Sequence, residues 1–245
     1  RSGSDSFSLR STWAAFDSSP LVDAETDTLI WPGESGILYT IKLNTTYDKA
    51  AGKLSISPDE IVKTRYNTSR SSNGSYWLGY EPSAVIVDRY LYISENGGMF
   101  FCIDLDTMQL VWSQDTRDDS NSTPVFEWNG VDGGYLYTAP SLHWTNSGGK
   151  GYICIYKLDA KTGEIVWEKA MDYYTWSSPV ALYDAAGTAY IILCDSTGNM
   201  SLLDSKGATL SSISLGSNIE ASPAVFENTL VVGTRGGLVC GVKIK

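Results

Sequence analysis

The side chains able to do chemistry are few, and their spacing excludes most of it. His143 is the only histidine in 245 residues, so a Ser-His-Asp triad or a histidine-ligated metal would depend on that one imidazole. No G-x-S-x-G, P-loop or dinucleotide fingerprint occurs. Four cysteines (Cys102, Cys154, Cys194, Cys240) lie 40 or more residues apart, without a CxxC or Cys/His spacing, which argues against a zinc site. Each stands in an apolar run (FFCID, YICIY, IILCD, LVCGV), where a free thiol behaves as a small buried hydrophobe. A disulfide is the alternative. Acid, by contrast, is plentiful: 28 Asp and Glu against 18 Lys and Arg give a net charge of −10. That sign is wrong for nucleic acid or an anionic membrane surface. No apolar run approaches the roughly 18 residues that would insert into a bilayer. The chain opens on RSGSDSFS without an initiator Met or signal-peptide pattern, which reads as a processed start.

Whatever the carboxylates do, a repeat must position them. One phrase recurs five times: a small polar residue, a short apolar strand, a turn, a second strand, a Gly, then a third strand closing on Leu-Asp or a near relative. Its anchors are Ser19, Ser83, Thr123, Ser178 and Ser222, spaced 64, 40, 55 and 44 residues apart. From the Gly to the closing residue is eight positions in four units (Gly36 to Asn44, Gly98 to Asp106, Gly151 to Asp159, Gly237 to Lys245) and six in Gly198 to Asp204. The segments are runs of Val, Ile, Tyr, Phe and Leu bounded by Gly, Asn, Asp and Ser, the pattern of strands. A fourth strand follows the Leu-Asp turn in LDTMQLVWSQ and LDAKTGEIVWEK, placing Trp112 and Trp167 equivalently. Four strands repeated at about 40 residues predict an all-β chain, a β-propeller of four-stranded blades spanning residues 1–245.

The string G-x-L-x-x-L-D-x-x-T-G-x-x-x-W, best carried by Gly151 to Trp167 and Gly98 to Trp112, resembles the repeat of the pyrroloquinoline-quinone-like propellers. That family includes the quinoprotein alcohol dehydrogenases and the lipoprotein of the outer-membrane barrel assembly machinery. The resemblance implies the fold over nearly the whole chain, but not one activity. Propellers of that family usually have seven or eight blades, and five repeats are visible here. Two arrangements follow. Either a strand at about residues 6–11 completes the last blade and closes a five-bladed ring, or the chain is the C-terminal part of a larger propeller.

In such a fold the loops from strand four to the next strand one, and from strand two to strand three, share one face. The position two before each anchor reads Asp17, Glu81, Asn121, Trp176 and Glu220, and these should ring the channel mouth. The ring is either a hydrated acidic lining or a site for a cation or polar ligand, since hard cations prefer such oxygens. Trp13, Trp77, Trp144 and Trp176 fall in polar loops, where indoles stack on sugars or peptide side chains or cap blade ends. Arg235 lies on a loop of the second type. Trp112 and Trp167 should instead pack between blades.

These residues favour a non-catalytic binding or scaffold module over an enzyme, with a protein or glycan partner held at the acidic, aromatic mouth. By resemblance the setting is extracellular, cell-surface or periplasmic. The alternatives are a quinone-dependent oxidoreductase and a carboxylate-pair glycoside hydrolase. Relatives that use the quinone PQQ hold it with a vicinal Cys-Cys pair, Ca²⁺-binding carboxylates and a Trp floor. No adjacent cysteines occur here, so PQQ with calcium is not expected, nor any other cofactor.

Overall fold

The computed structural model describes residues 15–68, 79–128, 133–140 and 154–244. Five antiparallel sheets of three or four strands follow one another along them, with a separate two-stranded hairpin inserted in the first. The first runs β1 (Leu21–Asp23), β2 (Thr28–Gly33), β3 (Ile37–Lys42), then a hairpin of β4 (Thr46–Asp48) and β5 (Lys53–Ser55), and closes on β6 (Asp59–Thr64). The second comprises β7 (Val85–Val87), β8 (Tyr90–Ser94), β9 (Met99–Asp104) and β10 (Gln109–Asp115). In the third are β11 (Val125–Trp128), β12 (Gly134–Thr138), β13 (Cys154–Asp159) and β14 (Ile165–Ala170). The fourth holds β15 (Val180–Tyr183), β16 (Ala189–Cys194), β17 (Asn199–Asp204) and β18 (Thr209–Ser214). The fifth has three strands, β19 (Ala224–Phe226), β20 (Thr229–Gly233) and β21 (Val239–Lys243). Every sheet keeps chain order from its first strand outward, so the sheets are the blades of a β-propeller.

Register corrects one expectation. The residue pairing with the start of the second strand is Lys42 (with Thr28), Asp104 (Tyr90), Asp159 (Tyr135), Asp204 (Tyr190) and Lys243 (Thr229). The third strand therefore ends six residues after Gly36, Gly98 and Gly237, not eight, the spacing already read from Gly198 to Asp204. The side chain that builds the next turn in the second blade is Asp104, not Asp106. Its Oδ1 accepts the amides of Asp106 and Thr107 at 3.0 and 3.2 Å. Asp159 Oδ1 does the same for Lys161 and Thr162, and Asp204 Oδ1 for Lys206 and Ala208. These are Asx turns, in which a short carboxylate replaces a backbone acceptor.

The anchors bind one another. Ser19 N donates to Ser83 Oγ at 2.8 Å, Thr123 N to Ser178 Oγ at 3.0 Å, and Ser178 N to Ser222 Oγ at 3.0 Å. Equivalent residues of successive blades are therefore adjacent, two residues ahead of each innermost strand. At the outer end, Trp112 Nε1 donates to Ala160 O and Trp167 Nε1 to Ser205 O, both at 3.1 Å. Each indole lies on the turn of the next blade. A Cβ on Gly163 would meet the Trp112 ring at 2.6 Å, and one on Gly207 the Trp167 ring at 3.3 Å. Both tryptophans thus pack between blades, as their repetition predicts.

Between the sheets, one triplet recurs on the face turned toward the next blade. Leu21, Ile30 and Leu38 pack on the second sheet; Val85, Tyr92 and Phe100 on the third; Val180, Ile192 and Met200 on the fifth. Val125, Tyr137 and Ile155 of the third sheet meet the fourth, beside Trp167. Buried between the third and fourth blades, Lys157 Nζ pairs with Glu127 Oε2 at 3.0 Å and donates to Ser205 O, while Tyr137 OH also donates to Glu127. Cys102 and Cys194 are buried free thiols and Cys240 a half-buried one. Among the described residues no apolar cluster joins the fifth sheet to the first. The strand expected at about residues 6–11 lies outside them.

Candidate functional site

At one end of the sheets, the two loop types are stitched together by a repeated backbone bond. The residue two before the turn glycine donates its N–H to a carbonyl four residues before the anchor. The pairs are Glu34 to Ala15 (3.2 Å), Asn96 to Gly79 (2.9 Å), Ser196 to Tyr174 (3.0 Å) and Arg235 to Asn218 (2.8 Å). The turn glycine itself must take a positive φ, 85° at Gly98 and 91° at Gly198. A Cβ there would strike Asp118 N at 2.7 Å or Ser217 O at 2.5 Å. Glycine is required for both reasons. This close approach folds the strand-four loop over the strand-two turn and concentrates their side chains.

Over the first three blades the concentrated side chains are acidic. One carboxylate oxygen each from Asp17, Glu34 and Glu81 lies within 4.8 Å of the others. Glu81 accepts the amide Nδ2 of Asn96 on one oxygen and of Asn121 on the other, both at 2.9 Å. The Oδ1 atoms of these two asparagines are buried and meet no donor among the described residues. Glu34, Glu95, Asp118 and Asp119 are buried too. Burial, and then the charges of Glu81, Asp118 and Glu34, push the Asp119 carboxyl up to about 8. The group therefore carries its proton at neutral pH. Chemically, the arrangement suits positive charge: Asp17, Glu34 and Glu81 each offer an oxygen of the kind that hard cations or a lysine or arginine side chain accept.

The structure brings together Asp17, Glu81 and Asn121 from the expected ring, but not Glu220. Glu220 is held by Asn218 Nδ2 at 2.8 Å and by Arg235 Nε at 2.6 Å, so its charge is neutralised locally. Arg235 is a partner of that carboxylate at the fifth blade. Trp176 packs on Tyr174 with ring centroids 5.3 Å apart, half-buried. Trp13, Trp77 and Trp144 lie outside the described residues. Glu34 and Asn96 stand on the second loop type, which the repeat places on this face, but outside the ring counted from the anchors. Their signal was available, since both stand two before the turn glycine, opposite the carbonyl four before the anchor.

Over residues 20–191 the chain matches the family described as outer membrane protein assembly factor BamB. Among solved structures it is similar to that of BamB from Moraxella catarrhalis, with a TM-score of 0.61 at 16% identity, covering 93% of this chain and 57% of that one. At that identity the likeness is one of fold. Curated relatives include the dehydrogenase subunit of alcohol dehydrogenase (quinone) from Gluconacetobacter polyoxogenes and from Komagataeibacter europaeus. Each is 29% identical over 89 residues, which is 36% of this chain and 12% of the relative. The chain thus spans a small part of those enzymes and little more than half of the solved propeller.

Proposed function

Because the chain belongs to the family of the outer membrane protein assembly factor BamB, we propose that it is an exported, non-catalytic scaffold propeller whose acidic mouth holds a basic, aromatic segment of a protein partner. The observation that carries this reading is the carboxylate cluster of Asp17, Glu34 and Glu81 beside buried Glu95, Asp118 and Asp119. Such a concentration attracts cationic ligands and steers their approach. Membership in a family named for outer membrane assembly supports a periplasmic or cell-surface setting. Among the described residues, no helix is long and apolar enough to cross a membrane.

The quinone enzymes favour a second reading, and it fits the side chains less well. Cys102, Cys194 and Cys240 stand on three different sheets, so none of them forms a vicinal pair, and PQQ's three carboxylates would meet like charge at the mouth. Titration calorimetry separates the readings. A Lys- and Tyr-rich peptide should bind, weaken with added salt, and lose at least tenfold in affinity with Glu81→Gln. A neutral glycan binding equally well and without salt dependence would replace the protein partner. Saturable micromolar PQQ binding in millimolar Ca²⁺ would promote the oxidoreductase.

A further inference from the structure

Register equates the walls of successive blade junctions residue by residue. Tyr92, Cys102 and Trp112 of the second sheet stand where Tyr137, Lys157 and Trp167 stand on the third. Val87 and Tyr90 stand where Glu127 and Tyr135 do. Ala160 O accepts Trp112 Nε1 and Tyr92 OH, as Ser205 O accepts Trp167 Nε1 and Lys157 Nζ. Between the third and fourth blades the chain fills the middle of this frame itself. The Lys157 ammonium lies 4.0 Å from the centre of the Tyr135 ring and 5.2 Å from that of Tyr137, with Glu127 at 3.0 Å as its counter-charge.

Between the second and third blades the same frame encloses a cleft. Cys102 replaces the lysine and Val87 the glutamate, and about 370 Å³ opens beside them, walled by the rings of Tyr90, Tyr92, Phe126 and Trp128. That is the size of a small-molecule site. Trp128 is 52% exposed, with its ring 6.4 Å from that of Phe126. Asp88 and Lys161 supply one charge of each sign to the lining. Arg89, 5.3 Å from the Tyr90 ring centre, is already paired with Asp104 and Asp106.

The rings that hold an ammonium at the next junction are therefore kept here without their own cation. Val87 and Cys102 offer no carboxylate, and Ala160 O already serves two donors. A desolvated –NH₃⁺ would be left short of acceptors. A methylated ammonium needs none, and the faces of aromatic rings attract it.

We propose that the cleft between the second and third blades binds a small quaternary ammonium compound, its cation against Tyr90 and Tyr92 and its methyl groups against Phe126 and Trp128. The cleft lies by the strand-one-to-two and strand-three-to-four turns, at the opposite end of the sheets from the acidic mouth. It does not rest on the scaffold reading.

Titration of the 245-residue chain with choline, followed by saturation-transfer NMR, tests the proposal. Choline should give a saturable signal. Dimethylbutanol, its uncharged carbon analogue, should bind about tenfold more weakly, for want of the attraction between charge and ring. Trp128→Ala, at a half-exposed position, should weaken choline by about fivefold or more. Cys102→Lys with Val87→Glu rebuilds the Lys157–Glu127 arrangement inside the cleft and should abolish binding. If that double variant fails to fold by its urea melt, Trp128→Ala and the analogue carry the test. No saturable choline signal would overturn the proposal, and so would an analogue that binds as tightly. Choline that binds Trp128→Ala as well as the wild type would also overturn it, and loss of that binding with Glu81→Gln would then locate the cation at the mouth.

Discussion

Asp119→Asn should stabilise this protein, and increasingly so as the pH rises. In the native state the Asp119 carboxyl holds its proton until about pH 8, whereas its ordinary value is 3.8. Between those limits the folded chain binds a proton that the unfolded chain has released, so stability falls with rising pH. Each pH unit in the window costs up to about 1.4 kcal/mol. From pH 5 to pH 7 the ceiling is about 2.7 kcal/mol, and relaxation around a cluster of several acids brings the expectation to about 2 kcal/mol. Below pH 3.8 both states are protonated and the penalty vanishes. Asparagine has nearly the same shape, carries no proton to lose, and offers its amide to the neighbouring carboxylates. Urea melts of both proteins at pH 5, 6 and 7 measure the effect, read as the difference between the two stabilities so that other titrations cancel. A gap that widens by about 2 kcal/mol in favour of the variant supports the reasoning. Parallel profiles, or a gap that narrows, would show that Asp119 ionises normally and that the mouth is not a desolvated acidic cluster.

Trp167→Ala should cost about 3–5 kcal/mol in urea melts, and Trp167→Phe about 1 kcal/mol for the lost bond to Ser205 O. Gly163→Ala combines a φ of 77° with a Cβ 2.6 Å from the Trp112 ring; at least 1–2 kcal/mol (about the left-handed penalty alone) should appear in the same assay. Lys157→Met should destabilise by about 3–5 kcal/mol, because Glu127 is left charged and buried. Adding Glu127→Gln should recover at least half of that loss, and no recovery would deny the coupling. Burial pushes the Cys102 and Cys194 thiols up to about 12, so neither should react with Ellman's reagent at pH 8 until urea is added.

The blades were legible because a strand's apolar alternation and a turn's Gly and Asp are local facts, repeated five times. The register was misjudged for an equally local reason. Asp104 and Asp106 both stand near the end of FCIDLD, and only pairing with Tyr90 reveals which of them caps the turn. The mouth was half legible. Counting from the anchors put Asp17, Glu81, Asn121, Trp176 and Glu220 in one ring, and the structure brings the first three to one place. That both loop types share one face was legible, but not that Glu34 and Asn96 of the second type fold against those carboxylates, since that juxtaposition depends on the glycine turns approaching the backbone within contact distance. Nor was it legible that Arg235 reaches Glu220, because two loops 15 residues apart had to meet first.

The anchor bonds have a consequence for how such a gene can change. Each one takes a backbone N–H from one unit and a hydroxyl from the next, in the same sense at Ser19, Thr123 and Ser178. The tryptophan contacts point the same way, from Trp112 and Trp167 onto the following turn. A crossover that joins one anchor to a later one removes or duplicates a whole blade, yet every surviving donor still meets an acceptor of the right kind. A crossover within a blade leaves a tryptophan without its glycine turn or a turn without its carboxylate. Blade number is thus cheap to alter by recombination, while the interior of a blade is held nearly fixed.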